Sequence, residues 1–533
     1  MKEPLLRIDD LTIAFGNQPV VHGVSFAIDR GKTVALVGES GSGKSITASA
    51  IMGLLPPKAR VASGRVQHVP SKNIWVAPNK QSTSPLGRGL SMVFQDPMSS
   101  LNPSMRVGWQ VAESLLVHQG MDNAEAKTQA VQLLEEVELP DPSTLFERYP
   151  HELSGGQKQR VMIALALAAN PELLIADEPT TALDVTVQKT VLQLLIRLQQ
   201  KRHLAILFIT HDLDVVRDIA DDVMVMQQGK LVEQGNVESV MNRPVHPYTQ
   251  ALIAARDIPK RTIGSQLGPV LLKASHVTKS FPLRQNFLGK TVEHLHAVND
   301  VSLTLCEGER VGLIGESGSG KSTLGRTLLG LTAMTSGTVQ LDGVSVEHGQ
   351  AQSMGHVRRI AQLVFQDPYS ALNPKIPVGK AIAEVFTHLG MEAKNAIDHT
   401  VKLLEEVGLA AEDFQRYPGN FSGGQRQRLV IARALAVEPK LMVLDESVAA
   451  LDVQIQRDIL DLLAKIGDER KLTYLFISHD LSVMASFCNR LLIMHQGQIV
   501  ERGETEDILA NPKNEYTRQL LASRPGKVPL TTA

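Results

Sequence analysis

The octapeptide Gly-Glu-Ser-Gly-Ser-Gly-Lys-Ser occurs twice in the chain, at 38–45 and 315–322, and this duplication limits the fold more than any other feature. Other segments repeat in the same order. Phe-Gln-Asp-Pro stands at 94–97 and 365–368, Ser-Gly-Gly-Gln at 154–157 and 422–425, and an Asp-Glu pair after a short apolar run at 177–178 and 445–446. The offset between copies falls from 277 to 271 and then to 268 positions, so the first copy is 6 residues longer between its first and second motifs. The 533 residues are therefore two copies of one domain, a reading that outranks the three or four domains suggested by length. The stretch RDIPKRTIGSQLGPV has the Pro, Gly and polar content of a connection. We expect a first domain at 1–258, a linker at 259–270 and a second domain at 271–533.

Each copy opens with β-prone alternation, LLRIDDLTIAFG and LLKASHVTKSFP, and a strand then enters the Gly-rich segment. The stretches 108–148 and 379–416 carry helical spacing, and the apolar runs LAILFIT and LTYLFIS read as buried strands. Strands alternating with helices predict an α/β fold built on a largely parallel sheet. The turn-rich stretch 68–89 reads as a surface loop.

Composition removes several function classes. A net charge of −2 and a pI near 6.8 offer no broad basic surface for nucleic acid. The two cysteines, Cys306 and Cys488, have no CxxC spacing, which excludes a zinc or disulfide framework. The opening MKEPLLRIDD is broken by charge too early for a signal peptide. The longest apolar run, VMIALALAA at 161–169, falls far short of the roughly 18 residues of a membrane span. A cytoplasmic chain that does not itself cross a bilayer is expected.

G-x-x-x-x-G-K-S between a strand and a helix is a phosphate loop. Gly38, Ser40, Gly41 and Gly43, with Gly315, Ser317, Gly318 and Gly320, let backbone N–H groups curl around phosphate oxygens. Lys44 and Lys321 reach the β- and γ-phosphates, Ser45 and Ser322 offer a hydroxyl to Mg²⁺, and Ile46 and Thr323 follow in the first helical turn. Asp177 and Asp445, closing apolar strands, are further candidates for the Mg²⁺ shell. Glu178 and Glu446 follow and are placed to accept a proton from attacking water. Ser154, Gly155, Gly156 and Gln157, and Ser422, Gly423, Gly424 and Gln425, open predicted helices as a second anion-binding device in each copy. A second device in one domain makes sense if it serves a nucleotide held by the other.

With these motifs the chain resembles the ATP-binding domains of ABC transporters over nearly its full length. The resemblance implies two tandem P-loop NTPase domains, each with a mixed, largely parallel core sheet, an antiparallel β subdomain and a helical subdomain. It makes Ser154–Gln157 and Ser422–Gln425 the signature, Gln95 and Gln366 the glutamines that sense Mg²⁺ and the membrane subunit, and His211 and His479 the γ-phosphate histidines. Asp184 and Asp452 become loop aspartates that act across a dimer, and Phe15 and Phe281 the aromatics that stack on adenine. It also implies two head-to-tail ATP sites, each joining the phosphate loop of one half to the signature of the other.

FQDPMSSLNP, FQDPYSALNP, HPYTQALIAA and NEYTRQLLAS are similar to the peptide and nickel importer branch. The second tail departs from the pattern, with Asn514 and Glu515 in place of His-Pro. Implied partners are two membrane permease subunits and a solute-binding protein, with one chain per transporter at the cytoplasmic face of a bacterial inner membrane. ATP and Mg²⁺ are the expected cofactors. No iron–sulfur cluster is expected, because the chain lacks the cysteine set that many relatives carry. A fused importer ATPase for sugar or nickel, an export ATPase and a soluble twin-cassette translation factor on the ribosome remain alternatives. In the second copy Ser447 and Val448 replace Pro179 and Thr180. Since the position after the Glu is not needed for proton transfer, the expectation is a looser turn with intact chemistry.

Overall fold

The computed structural model describes residues 3–68, 73–76, 89–96, 100–180, 183–255, 267–285, 291–365, 367–448 and 451–523. They fall into two compact units, 3–255 and 267–523. Of the expected linker, residues 259–266 lie outside the described set. At its end Gly268 N–H donates to Glu307 O and Glu307 N–H to Pro269 O, so those residues pair with the second unit.

The first unit holds strands β1 (Leu6–Phe15), β2 (Gln18–Ile28), β3 (Thr33–Val37), β4 (Ala59–His68) and β5 (Asn73–Val76). They are followed by β6 (Leu90–Val93), β7 (Leu173–Asp177), β8 (Ala205–Thr210), β9 (Asp222–Gln227) and β10 (Lys230–Asn236). One sheet has the order β2-β1-β4-β5 and is antiparallel. The other has the order β10-β9-β3-β8-β7-β6, parallel from β9 to β6 with β10 antiparallel at its edge. The stretch expected as a loop at 68–89 thus contains a strand: Asn73-Ile-Trp-Val76, short and rich in β-prone residues, registers Val76 against Arg65 and Asn73 against His68.

The second unit repeats the plan. It contains β11 (Val270–Gln285), β12 (Thr291–Cys306), β13 (Arg310–Ile314), β14 (Ser336–Leu341) and β15 (Val344–Ser345). After these come β16 (Ala361–Val364), β17 (Leu441–Asp445), β18 (Thr473–Ser478), β19 (Arg490–His495) and β20 (Gln498–Glu504). The sheet orders are β12-β11-β14-β15 and β16-β17-β18-β13-β19-β20.

The central strands β3, β7 and β8 are buried along their whole length, as expected where both faces of a parallel sheet are covered. Alternate residues feed opposite layers. Leu173, Ile175, Leu207 and Ile209 pack with the antiparallel sheet and the helix Lys44–Met52, while Leu174, Ala176, Ile206 and Phe208 face the helical layer. That layer comprises the helices Val107–Gln119, Asn123–Glu136 and Gly155–Ala168, and its counterparts in the second unit are Val378–His388, Ala393–Glu406 and Gly423–Leu435. Among the described residues no helix is long and apolar enough to cross a membrane.

The helical layers are keyed by a glycine under an aromatic ring. A Cβ at Gly108 would lie 2.1 Å from the Phe146 ring, and one at Gly379 would lie 2.2 Å from the Phe414 ring. Both rings are buried, so neither can swing aside into solvent. Gly108→Ala and Gly379→Ala are therefore each expected to lose about 1–3 kcal/mol through overpacking, more than the helix propensity gained. Urea unfolding followed by circular dichroism checks this: both midpoints should fall relative to the parent.

Candidate functional site

In a parallel sheet the loops leaving the carboxyl ends of neighbouring strands meet at one edge. Here β3 leads into the phosphate loop, β8 into His211, β7 into Glu178 and β6 into Gln95, from four adjacent strands. In the second unit β13, β18 and β17 deliver Lys321, His479 and Glu446 in the same way, whereas Gln366, after β16, lies outside the described residues.

The loop turns sharply at its glycines. Gly38 turns so tightly that a Cβ would sit 2.1 Å from Met226 O, and Gly315 meets Met494 O at the same distance. Gly41 and Gly318 face open space at φ 80° and 82°, a left-handed conformation that costs glycine nothing. Gly43 and Gly320, also at positive φ, cap the following helices, while Ser40 and Ser317 are exposed. Lys44 Nζ donates to Gly38 O (2.7 Å) and Glu39 O (2.9 Å), and Lys321 Nζ to Gly315 O and Glu316 O (both 2.8 Å). Both lysines are buried, and the loop's own carbonyls hold their charge. The Ile46 side chain packs against the core, and Thr323 O accepts from Thr327 Oγ1.

Ser45 Oγ donates to Asp177 Oδ1 at 3.0 Å, and Ser322 Oγ to Asp445 Oδ1 at 2.7 Å. Burial pushes the Asp177 carboxyl up to about 6, though the Ser45 hydroxyl pulls it back, and burial raises Asp445 likewise. Both oxygens of Glu178 are engaged: Gln95 Nε2 donates to Oε2 (2.9 Å) and His211 Nδ1 lies 3.2 Å from Oε1. In the second unit His479 Nδ1 is 3.6 Å from Glu446 Oε1, an electrostatic contact longer than a hydrogen bond, and that imidazole holds the Glu446 carboxyl below its ordinary range. Glu178 and Glu446 share a further trait. Their φ values are 46° and 48°, in the left-handed region where a non-glycine residue is strained, and their N–H groups are pinned to Ile209 O and Ile477 O at 2.9 Å.

Each signature segment begins a helix through a reciprocal capping box. Ser154 N–H donates to Gln157 Oε1 (3.0 Å) and Gln157 N–H to Ser154 Oγ (3.3 Å), and Ser422 and Gln425 repeat both distances. The two glycines differ in role. A Cβ at Gly156 would strike Val187 at 2.5 Å and one at Gly424 would strike Ile455 at 2.4 Å, so this glycine serves close helix packing, whereas Gly155 and Gly423 have room. Asp184 caps the helix Val185–Arg202 by accepting from Val187 N–H, and Asp452 stands at the same position before Val453–Arg470. Phe15 and Phe281 are 39% and 38% exposed on β1 and β11, large apolar faces open to a flat ligand, with Lys279 Nζ 4.7 Å over the Phe281 ring. One contact has no sign in the motifs: Tyr248 and Tyr516, from the C-terminal segments, touch the phosphate loops.

The ABC transporter family model matches residues 21–181 and 298–449, and a model of the oligopeptide/dipeptide transporter C-terminal region matches 232–270 and 500–531. The peptidoglycan transport ATP-binding protein YejF of Agrobacterium fabrum is 43% identical over 528 residues, covering 98% of this chain and 96% of that protein. The glutathione import ATP-binding protein GsiA of Salmonella typhimurium is 42% identical over 557 residues, covering 98% and 89%. A solved dimeric ATP-binding cassette bound to ADP and Pi matches with a TM-score of 0.40 and 27% identity, over 44% of this chain and 99% of that one. The chain thus belongs to the ABC transporter family, as an ATPase with two fused ATP-binding cassettes, each followed by the C-terminal region of oligopeptide/dipeptide transporters.

Proposed function

We propose that the chain energises a bacterial importer for peptides or peptide-bearing solutes. The observation that carries this reading is the oligopeptide/dipeptide transporter region after both cassettes. It favours this branch over a sugar importer, an exporter or a ribosome-bound factor. The named relatives agree in chemistry, since glutathione is a tripeptide and peptidoglycan is cross-linked through peptides. The chain would work with two membrane permease subunits and a solute-binding protein, one chain per transporter, at the cytoplasmic face of the inner membrane.

In this reading Lys44 exchanges Gly38 O and Glu39 O for the β- and γ-phosphate oxygens of ATP, and the loop N–H groups close on the same phosphates. Phe15 would stack on the adenine. Ser45 Oγ and Asp177 Oδ1 suit Mg²⁺: both are hard oxygen donors, 3.0 Å apart, and the buried carboxylate lacks full charge compensation. Among the described residues no cluster of three His, Cys, Asp or Glu side chains could hold a metal alone, which fits an ion that takes most ligands from water and substrate. Bound there, Mg²⁺ would offset the phosphate charge that develops during transfer. Glu178 accepts the proton of the attacking water once the exposed Gln95 releases it, and His211 orients that carboxylate and meets the γ-phosphate. Lys321, Ser322, Asp445, Glu446, His479 and Phe281 take these roles in the second cassette, with Gln366 as the counterpart of Gln95.

The second cassette is read as live. Glu446 keeps the left-handed φ of Glu178 to within 2° although Ser447 has replaced the proline that follows. Removing a general base costs on the order of 10²–10⁴-fold in rate at its site. Glu446→Gln should therefore impair ATP turnover and solute uptake by the reconstituted transporter about as severely as Glu178→Gln. Near-parental uptake in Glu446→Gln, with uptake abolished in Glu178→Gln, would make the second site a structural clamp. Ser447 itself is 3% exposed and its hydroxyl has no hydrogen-bond partner. Ser447→Pro removes that orphaned group and restricts the unfolded chain, so thermal unfolding should show a gain of about 1 kcal/mol with activity retained.

A further inference from the structure

In both units the phenol oxygen of a tyrosine from the C-terminal segment accepts a hydrogen bond from the phosphate loop. Glu39 N–H reaches Tyr248 Oη at 3.1 Å, and Glu316 N–H reaches Tyr516 Oη at 3.0 Å. The N–H of Glu39 and the carbonyl of Gly38 belong to one peptide plane. That plane is gripped at its oxygen by Lys44 (2.7 Å) and at its nitrogen by Tyr248, and Lys321 and Tyr516 grip the Gly315–Glu316 plane in the same way. In the proposed reading a triphosphate competes for the lysine but not for the tyrosine.

The tyrosine is placed by a short relay. Glu233 accepts from Val245 N–H (2.8 Å) and His246 N–H (3.0 Å), and His246 Nδ1 accepts from Tyr248 N–H to cap the helix Pro247–Ala254. Tyr248 and Leu252 then pack with Ala35 and Val37 of β3 and with Leu213 and Val216 of the helix that follows His211. In the second unit Glu501 accepts from Lys513 and Asn514 N–H, and Asn514 Oδ1 accepts from Tyr516 N–H at 2.8 Å. The exchange of His-Pro for Asn-Glu therefore preserves the cap and the acceptor, because Asn is a strong N-cap and an acid suits the first helical turn. Even with His495 stacked on Tyr516, where β9 has Gln227, the tyrosine-to-loop distance changes by 0.1 Å.

We infer that Tyr248 and Tyr516 are positioning residues for the two ATP sites: each fixes the entry peptide of its phosphate loop, making the C-terminal segment part of the nucleotide site. The inference rests on the ATPase reading. It assigns the hydroxyl a role in nucleotide affinity, since it leaves the proton-accepting carboxylates untouched.

The test uses the full-length chain with Tyr248→Phe, Tyr516→Phe and the double variant, which keep the ring and lose only the hydroxyl. A non-hydrolysable fluorescent ATP analogue gives Kd, steady-state hydrolysis gives KM and kcat, and thermal unfolding without nucleotide gives stability. Loss of one neutral hydrogen bond predicts Kd and KM raised about 3- to 10-fold at the altered site. In the double variant kcat should stay within about 2-fold of the parent, and the nucleotide-free midpoint should fall by no more than about 2–4 °C, the loss of one hydrogen bond per unit. Unchanged Kd in the double variant overturns the inference. So does a rise in Kd accompanied by a nucleotide-free midpoint lowered by more than about 5 °C, which marks a merely structural tyrosine. Failure of the parent to bind the analogue or hydrolyse ATP overturns the ATPase reading instead.

Discussion

A strand can join a parallel neighbour only through a crossover, so each connection leaves the sheet at one edge and returns at the other. The parallel alignment of β3, β8, β7 and β6, and of β13, β18, β17 and β16, is the constraint on which both sites depend. It brings together a lysine, a carboxylate pair, an imidazole and an amide that lie up to 167 positions apart in the first copy, from Lys44 to His211. Because the central strands are buried on both faces, the edge is stiff and its loops have a fixed origin. The strained backbones of Glu178 and Glu446 persist on this platform, each tied by its N–H to the neighbouring strand.

The two halves serve as an internal comparison. At the C-terminal helices a capping side chain has been exchanged for another that serves equally well. His246, for instance, becomes Asn514 and still accepts the capping N–H. In the phosphate loops and signatures, where a side chain has no room, glycine is kept in both halves, as at Gly38 and Gly315 or Gly156 and Gly424. Pro179 and Ser447 form a third case. The turn keeps its shape without the proline, because hydrogen bonding from the adjacent strand, not the ring, sets the glutamate conformation.

Much of this was legible in the amino-acid order. The phosphate loops, the Asp-Glu pairs and the capped signature helices are local: each needs a few consecutive residues, and each carries its chemistry in its composition. The opening strands of each copy were marked by alternation, and the antiparallel subdomain was implied by the family resemblance, but β5 was hidden inside a stretch dominated by turn residues. The contact between Tyr248 and Glu39 was illegible for a different reason. It spans 209 positions and uses a backbone donor, which every residue except proline possesses, so no residue type advertises it. The packing duty of Gly156 was likewise masked, because a glycine at a helix start has a sufficient explanation in anion binding.

That packing glycine has a mechanical consequence. With no Cβ between them, the signature helix Gly155–Ala168 and the start of the helix Val185–Arg202 are in contact at their closest approach. A well-packed contact of this kind neither compresses nor slides by small amounts. Asp184, which caps the second helix, and Ser154, which caps the first, therefore belong to one rigid lever. Any displacement imposed on Asp184 is delivered to the signature with no slack, and in the second unit Gly424 and Ile455 make the same helix contact although Asp452 forms no side-chain cap.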